Sequence, residues 1–397
     1  MSQPNSNSQI PIANPKSPRV AIVADWLTNM GGAEKVVLAL HEAFPDAPIY
    51  TSTYVPENMP EFAGLDIRTT SLQNLPGPLK KMHKFFPMQR VRAFQDLDLS
   101  EFDIIISSSS AEAKQVRKTR PGQVHVCYCH TPIRYYWSHY DDYRQNPQFG
   151  KLNWLIRFAM PFFVPPLKKA DYDAAQKVDV FVANSTEVQR RIKKYYGRDS
   201  TVIHPPVDVN RFTPARTRGD YYVALGRQVP YKRIDLAVSA ATELNVPLRV
   251  YGNGSEHERL VHMAGPTVKF FTDRFTDASD LAVTEALNNA KGFIFPAEED
   301  FGIVQVEALA AGAPVIALGR GGTKDIVEEG VSGVLFRDQN PDSVANAIRY
   351  AEKIEFLPGT LRRKARRFDK SLFITKIRKV VGDSYPPAIS HDKKPRS

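Results

Sequence analysis

Short apolar runs alternate with segments of helical spacing along most of this sequence. In the first half the apolar runs lie at 19–27, 103–110, 124–130 and 178–185. In the second half they lie at 221–227, 247–254, 268–271, 292–297, 314–322 and 333–336. Helical spacing follows several of them, as at 31–44, 234–244, 302–312 and 343–354. Buried strands that alternate with helices are typical of parallel sheets covered on both faces, so the pattern predicts an α/β fold.

The alternation stops at a proline-rich connection within 200–212 and then starts again. A chain of 397 residues is longer than one hydrophobic core usually serves, so we expect two Rossmann-like domains. The predicted N-terminal domain covers 18–210, and the predicted C-terminal domain covers 211–360. The polar ends, 1–17 and 384–397, are expected to be disordered.

Charge is spread unevenly along the chain. The net charge is +10 overall, made up of +7 in 1–216, −6 in 217–360 and +9 in 361–397. This asymmetry favours an anionic partner for the first part and the tail. No apolar run approaches the length that spans a bilayer, and we expect no transmembrane helix. The two cysteines, Cys127 and Cys129, are expected to be reduced and packed, which suits a cytoplasmic protein.

Two acidic residues flank the start of a predicted helix after the strand at 292–297. Glu299 lies in the turn, and Glu307 lies further along 302–312, about two helical turns after Glu299, so both can share one face. Phe301 and Gly302 lie between them. Carboxylates beside exposed helix amides suit a ligand rich in hydroxyl groups. The same residues would also suit a plain helix N-terminus that favours acids.

A pair of cations lies at the end of another predicted strand. Arg227 and Lys232 are five residues apart, between a strand and a helix. Two cations at a strand end suit a diphosphate, because arginine binds it bidentately and lysine adds a point charge. Solvated surface charges are the alternative. Glycine-rich turns at 29–35 and 319–325 suit either ligand phosphates or tight turns. His130, at a strand end, is either a polar contact to a ligand or a structural residue.

The order of these motifs resembles the retaining glycosyltransferases of family 4, which have the GT-B fold. The motifs are GGAEK, CHTP, GRxxPYKR, EEDFGxxxxE and GRGGxxD. The variant FPAEEDFGI, with DWLTNMGGAEKV and CHTPIRYYW, is most similar to mannosyltransferases of bacterial polysaccharide assembly. The resemblance covers about 18–380, and it implies that a helix at about 361–380 packs back on the first domain.

The resemblance also implies roles for the candidate residues. Arg227 and Lys232 would hold the diphosphate of a nucleotide-sugar donor, and no metal or cofactor is expected. Glu307 would bind the ribose, and His130 would face the sugar near the reacting carbon. Four residues would contact the donor sugar, and two would border the phosphates from the first domain. These are Glu299, Phe301, Gly302 and Ile303 for the sugar, and Gly31 and Gly32 for the phosphates. Glu298 precedes Glu299 and leaves open which of the two contacts the sugar.

The sequence therefore predicts a retaining hexosyltransferase, with mannose from GDP-mannose as the expected donor sugar. The expected acceptor is a lipid-linked or growing glycan. Basic stretches rich in aromatic residues, 78–94 and 152–169, predict peripheral attachment to an anionic membrane surface on the cytoplasmic side. Alternatively, they pack on the domain's own core. The other open functions are a UDP-sugar-dependent enzyme and a non-catalytic nucleotide-sugar-binding scaffold. Nucleic-acid binding is not expected, because no known motif accompanies the basic tail.

Overall fold

The computed structural model describes residues 18–76, 86–138, 140–145, 153–272 and 277–385. The predicted disordered ends lie outside these residues except for Ser384 and Tyr385. Part of the basic stretch 78–94 and the start of 152–169 also lie outside them.

Two parallel sheets form the framework of the molecule. The first sheet has seven strands in the order β3-β2-β1-β4-β5-β6-β7. They are β1 (Val20–Ala24), β2 (Ile49–Thr51), β3 (Ile67–Thr69), β4 (Ile104–Ser109), β5 (Val124–Cys129), β6 (Val180–Ala183) and β7 (Thr201–Val202). The second sheet has six strands in the order β10-β9-β8-β11-β12-β13. They are β8 (Tyr222–Leu225), β9 (Leu248–Tyr251), β10 (Val268–Phe271), β11 (Gly292–Phe295), β12 (Val315–Leu318) and β13 (Gly333–Phe336).

Helices cover the faces of both sheets. In the first half they are α1 (Gly32–Ala43), α2 (Pro87–Gln95), α3 (Tyr140–Gln145), α4 (Asn153–Lys177) and α5 (Thr186–Tyr196). In the second half they are α6 (Ile234–Leu244), α7 (His257–Met263), α8 (Asp277–Asn288), α9 (Ile303–Ala310), α10 (Thr323–Ile326), α11 (Pro341–Ala351), α12 (Pro358–Ala365) and α13 (Lys370–Ser384). The doubly wound strand order in each sheet confirms the predicted pair of Rossmann-like folds.

Each sheet is buried on both faces, which explains why its strands read as unbroken apolar runs. Along β12, Val315 and Ala317 pack in one core cluster, while Ile316 and Leu318 pack in the cluster on the opposite face. Strand residues alternate between faces, so both faces need apolar side chains. Cys127 and Cys129 are both buried on one face of β5 and are free thiols.

The last helix, α13, packs on the first sheet although the chain reaches it from the second. Its buried residues Phe373, Ile377 and Val381 join the core that contains strands β1, β4 and β5. The side chain of Arg378 donates a 2.9 Å hydrogen bond to the carbonyl of Ala43 at the end of α1. Burial of an apolar side chain of this size contributes about 1.5–3 kcal/mol, so α13 is an integral part of the first domain.

The two passages of the chain between the sheets lie side by side. Val207 in the first passage pairs with Asp369 in the second as an isolated parallel bridge. The amide of Val207 donates to the carbonyl of Phe368, and the amide of Lys370 donates to the carbonyl of Val207, each at 3.0 Å. Within the described segments, no helix has the length and apolar character required to cross a membrane.

Candidate active site

Side chains from both halves of the molecule meet where the strands of the two sheets end. The loop after β11 carries Asp300 toward the first half, where it pairs with Arg134 at 2.6 Å and with Arg191 at 2.5 Å. The hydroxyl of Ser185, at the start of α5, donates to the carbonyl oxygen of Asp300 at 2.5 Å. This loop is the same segment that contains Glu299, so the contacts fix the position of a predicted site residue.

Lys232 and Glu299 form a direct ion pair in this region. Lys232 ends a short 3₁₀ turn, Pro230–Lys232, that follows β8, and its Nζ contacts Oε1 of Glu299. Each side chain is 19% exposed. Burial, and then the charges of Arg227 and Arg134, lower the pKa of Lys232 to about 8, against the opposing charge of Asp300. Lys232 is therefore still protonated at neutral pH, but it is held among other cations.

Arg227 is more exposed than Lys232 and Glu299. It is exposed, and its guanidinium donates a 2.7 Å hydrogen bond to the hydroxyl of Tyr231. Its charge acts on Lys232, so the two predicted cations are electrostatic neighbours. Glu298 is more exposed than Glu299, 43% against 19%, and lies 3.9 Å from Arg191. The geometry therefore favours Glu299 as the carboxylate that faces the lysine.

Glu307 belongs to a second group of contacts between the halves. Its carboxylate, 8% exposed, accepts a 3.0 Å bond from Lys35 of α1 and lies 3.9 Å from Arg211. A Cβ placed on Gly32 would lie 3.0 Å from Cδ1 of Ile303. The N-terminal ends of α1 and α9 are thus in contact, and the absence of a side chain at Gly32 permits that contact. Here the structure brings together four residues, namely Gly32, Lys35, Ile303 and Glu307.

Gly31 is next to this contact, at the N-terminal cap of α1. A Cβ there would lie 2.9 Å from a carboxylate oxygen of Glu34, so the Glu34 side chain folds over the glycine. Phe301 is buried and its ring stacks on His204, with centroids 5.4 Å apart. Gly302 has a positive φ of 94°, which glycine adopts at little cost, and it is the N-cap residue of α9.

His130 follows β5 and is held by a serine. Its Nε2 lies 2.8 Å from the hydroxyl oxygen of Ser108, and its ring makes an edge contact with Tyr128 at 5.3 Å. Burial lowers the pKa of His130 to about 4, against the opposing charge of Asp300. The imidazole is neutral at physiological pH, so it can exchange hydrogen bonds with a ligand but adds no positive charge.

The glycine-rich turn after β12 packs directly against the loop of Glu299. A Cβ on Gly321, whose φ is 60°, would lie 2.2 Å from the carbonyl oxygen of Glu299. A Cβ on Gly322 would lie 2.3 Å from Cα of Phe301. The amide of Gly322 also donates to the carbonyl of Glu299 at 2.9 Å. These glycines are required by backbone packing, whatever a ligand adds.

A small cavity lies at the carboxyl ends of β1 and β4. It holds about 100 Å³ and is lined by residues that include Asp25, Trp26, Glu34 and Ser110. Both oxygens of Asp25 accept backbone amides, from Ser110 at 2.6 Å and from Ala111 and Ala113 at 2.9 and 2.7 Å. Burial raises the pKa of Asp25, while these amides stabilise its charged form. Ser108 also lines this cavity, which links it to His130.

Sequence reasoning did not find several of these residues. Arg134, Asp300 and Lys35 make contacts between the halves, but no role was assigned to them from the sequence, although each lies within a quoted motif, CHTPIRYYW, EEDFG or GGAEK. Asp300 also adjoins the acids Glu298 and Glu299. Their pairing depends on how the two domains meet, which no local pattern encodes.

Two family models match this chain in tandem. Residues 30–211 match the Glycosyltransferase Family 4 model, and residues 209–369 match the model described as Glycosyl transferases group 1. The chain therefore carries the two domains of a GT-B glycosyltransferase. Of the candidate site residues, Arg134, Lys35 and His130 lie in the range that matches the family 4 model, and Lys232, Glu299 and Glu307 lie in the range that matches the group 1 model.

Known proteins resemble both the sequence and the fold. A D-inositol 3-phosphate glycosyltransferase of Geodermatophilus obscurus is 32% identical over an alignment of 234 residues, and the match covers 48% of this chain and 50% of that protein. The chain thus aligns with about half the length of the curated relatives it matches. HepE of Anabaena, solved with UDP and glucose, has a TM-score of 0.67 at 18% identity, with 92% of this chain and 99% of that one covered.

A sucrose-phosphate synthase from Thermosynechococcus elongatus has a TM-score of 0.68 at 17% identity, with 92% of this chain and 98% of that one covered. At such low identity these solved structures show the fold alone. They confirm the predicted GT-B architecture of two parallel sheets.

Proposed function

We propose that this chain is a retaining glycosyltransferase that moves a hexose from a nucleoside-diphosphate sugar to a hydroxyl of a lipid-linked or growing glycan. The observation that carries the proposal is the contact of Lys232 with Glu299 at the end of the second sheet. Arg227 of the same domain and Arg134 of the other add positive charge beside it. A cluster of cations next to a carboxylate suits a diphosphate attached to a sugar.

The cations stabilise the charge that develops as the donor breaks. When the bond between the anomeric carbon and the diphosphate lengthens, negative charge collects on the leaving oxygens. Lys232 exchanges its contact with Glu299 for these oxygens, and Arg227 approaches them from the solvent side. Glu299 is then free to accept hydrogen bonds from sugar hydroxyls. In this proposal Lys232 and Arg227 neutralise the charge of the diphosphate, a role that a metal ion has in other enzymes. The reaction would therefore need no metal ion.

The anomeric configuration is retained because the acceptor attacks the same face of the sugar that the diphosphate leaves. The acceptor oxygen bonds to the anomeric carbon as the bond between that carbon and the diphosphate oxygen breaks. The acceptor proton passes to the departing diphosphate oxygen. No covalent nucleophile is assigned. His130, neutral because burial lowers its pKa to about 4, contacts the sugar through a hydrogen bond rather than through charge.

The remaining donor contacts lie where the two domains touch. Glu307 would bind the ribose hydroxyls once the donor displaces Lys35 from its carboxylate. The backbone around Gly31 and Gly32 would border the phosphates, and that around Phe301, Gly302 and Ile303 would border the sugar. The similarity of the motifs to mannosyltransferases supports GDP-mannose as the donor. UDP-sugars are the alternative, supported by the UDP and glucose bound to HepE of Anabaena.

A thermal-shift screen of GDP-, UDP- and ADP-sugars tests the donor. A ligand at one hundred times its Kd stabilises the folded state by about 2.7 kcal/mol, which gives a clear rise in Tm. We expect GDP-mannose to raise Tm in the wild type and not in Lys232→Ala. Lys353→Ala is the matched control, because it removes an exposed lysine of the same domain away from these contacts and should respond as the wild type does.

Two outcomes would contradict parts of this proposal. If only UDP-sugars raise the Tm, the donor is a UDP-sugar and the assignment of GDP-mannose is wrong. Equal rises in Tm for Lys232→Ala and the wild type would refute the proposed donor site. Slow donor hydrolysis that is lost in Glu299→Ala separates an enzyme from a non-catalytic scaffold. The anomeric configuration of the product, read by NMR, tests retention.

A further inference from the structure

Helix α4 has two apolar faces, whereas a helix at a protein surface normally has one. On the inner face, Val164 and Leu167 are buried in a cluster with Val91 of α2 and with Ile133 and Tyr136. On the outer side, five large apolar residues are exposed. They are Trp154 (70%), Leu155 (44%), Phe158 (68%), Phe162 (68%) and Phe163 (63%).

Three of these aromatic residues form a stripe along the helix. Trp154, Phe158 and Phe162 follow one another at intervals of four residues, which places them on one face. At about 100° per residue, that face lies opposite Val164 and Leu167. The rings of Phe158 and Phe162 have centroids 5.7 Å apart. We call these three residues the aromatic stripe.

A buried ion pair fixes which face of α4 points outward. Asp171, in the second half of the helix, is fully buried and pairs with the equally buried Lys114 at 2.5 Å. It also accepts hydrogen bonds from the indole of Trp137 at 2.8 Å and from the hydroxyl of Tyr196 at 2.7 Å. A rotation of α4 that buried the aromatic stripe would separate Asp171 from Lys114 and leave a buried charge without its partner, which costs several kcal/mol. The stripe is therefore held outward.

The charges around the stripe indicate what it contacts. Arg157 and Lys169 are exposed on α4, and residues 153–170 contain no Asp or Glu. Lys169 pairs with Asp173 at the surface, where such pairs contribute little. Large aromatic residues flanked by cations favour the boundary between headgroups and acyl chains of an anionic bilayer. A contiguous exposed apolar patch also indicates a binding surface rather than a bare one.

We propose that the aromatic stripe of α4 inserts into the interface of an anionic lipid bilayer, with Arg157 and Lys169 at headgroup level. The evidence for this docking surface comes from α4 alone. The role of the surface rests on the proposed function, because membrane binding would place the family 4 domain beside a lipid-linked acceptor. The aromatic rings enter the apolar boundary, while the long basic side chains extend to the phosphates.

Sedimentation of the full chain with lipid vesicles tests this proposal. We expect the wild type to bind vesicles of phosphatidylglycerol and phosphatidylcholine, and to bind pure phosphatidylcholine more weakly. The triple variant Trp154→Ser, Phe158→Ser and Phe162→Ser should bind at least about tenfold more weakly, because burial of each ring contributes to partitioning. The double variant Arg157→Gln and Lys169→Gln should lose mainly the preference for anionic vesicles.

A matched triple variant controls for the general loss of surface apolar groups. Leu281, Tyr350 and Leu357 are 72%, 51% and 58% exposed and lie in the group 1 domain. Replacement of all three by serine should leave vesicle binding at the wild-type level. Circular dichroism melting of both triple variants checks that each still folds, which is expected because all six side chains are exposed.

Several results would overturn the proposal. The first is a wild type that does not bind anionic vesicles, and the second is equal binding by the two triple variants. The third is a wild type that is dimeric in solution and does not bind vesicles, together with an aromatic-stripe variant that is monomeric. The stripe would then join two copies of the chain. Thermal shift with nucleotide sugars, done without lipid, reports separately on the proposed function, and the aromatic-stripe variant should retain that shift.

Discussion

At the residue scale, Lys232 determines how the proposed donor site responds to pH. Its pKa lies near 8 because of burial and of two neighbouring cations, Arg227 and Arg134. The side chain is charged below that pH and becomes neutral as the pH rises through it. A diphosphate is attracted only by the charged form.

We therefore expect donor affinity to fall as the pH rises above about 8, by up to about tenfold per pH unit. Lys232→Arg keeps its charge at every accessible pH, so whatever affinity this variant retains should stay level across the same range. Isothermal titration at pH 7.0 to 9.5 measures both. An affinity of the wild type that does not change over this range would show that Lys232 does not bind the phosphates in its charged form.

Asp300 affects two residues whose roles were inferred from sequence. Its carboxylate opposes the lowering of the pKa of both His130 and Lys232, and it lies between two arginines of the other domain. Asp300 therefore supplies negative charge to both residues of the candidate site. From the sequence, roles were considered only for its acidic neighbours Glu298 and Glu299.

At the element scale, the turn after β12 supports the loop after β11. Gly321 and Gly322 pack so closely on Glu299 and Phe301 that a side chain at either glycine would overlap backbone atoms. The loop that carries Glu299 is therefore positioned by a neighbouring strand connection, as well as by its own sequence.

We expect Gly322→Ala to displace this loop, with a loss of about 1–3 kcal/mol of stability and a weaker response to the donor. Gly359→Ala is the matched control, because a Cβ at Gly359 meets nothing within 4 Å and alanine is favoured within α12. Urea unfolding and donor thermal shift measure the two effects. If both variants behave like the wild type, the close packing of the turn does not support the loop.

The longer elements could be predicted from sequence, and the shortest could not. The apolar runs at 103–110 and 124–130 form β4 and β5, because short apolar runs that contain Ile or Val favour strands. β2 and β3, with three residues each, give too little pattern. The proline-rich connection expected within 200–212 follows the short strand β7, which ends at Val202, since Pro205 and Pro206 have no amide to donate.

Two helices have features that their local sequence does not indicate. The segment after the glycine-rich turn forms only the single helical turn α10, which ends at Ile326. α4 runs through three prolines, at 161, 165 and 166, although proline removes a helix hydrogen bond. Its burial pattern could not be read from sequence because both of its faces are apolar, and only the position of Asp171 decides which one is inside.

At the scale of the whole molecule, the candidate site depends on contacts between the domains. The ends of parallel strands locate Lys232, Glu299 and His130 from sequence alone. The pairs that join the domains, Arg134 with Asp300 and Lys35 with Glu307, depend on the relative placement of two sheets. That placement is set by surfaces distant in sequence and is not a local property.

We expect Asp300→Asn to weaken this junction. The carboxylate is 13% exposed and pairs with Arg134 and Arg191, so its loss leaves two arginines short of a partner and should cost about 1–3 kcal/mol. At about 2–4 °C per kcal/mol, the apparent Tm falls by several degrees. Asp338→Asn, at an exposed acid, should stay within about 0.5 kcal/mol of the wild type. Equal melting of the two variants would mean that Asp300 does not hold the domains together.

The return of α13 to the first sheet has a consequence for synthesis of the chain. Phe373, Ile377 and Val381 complete the core beside β1 and β5, yet the ribosome makes them only after the entire second sheet. While the C-terminal half is translated, the part of the N-terminal core that α13 later covers is therefore exposed to solvent. The first domain to be made is the last to finish folding.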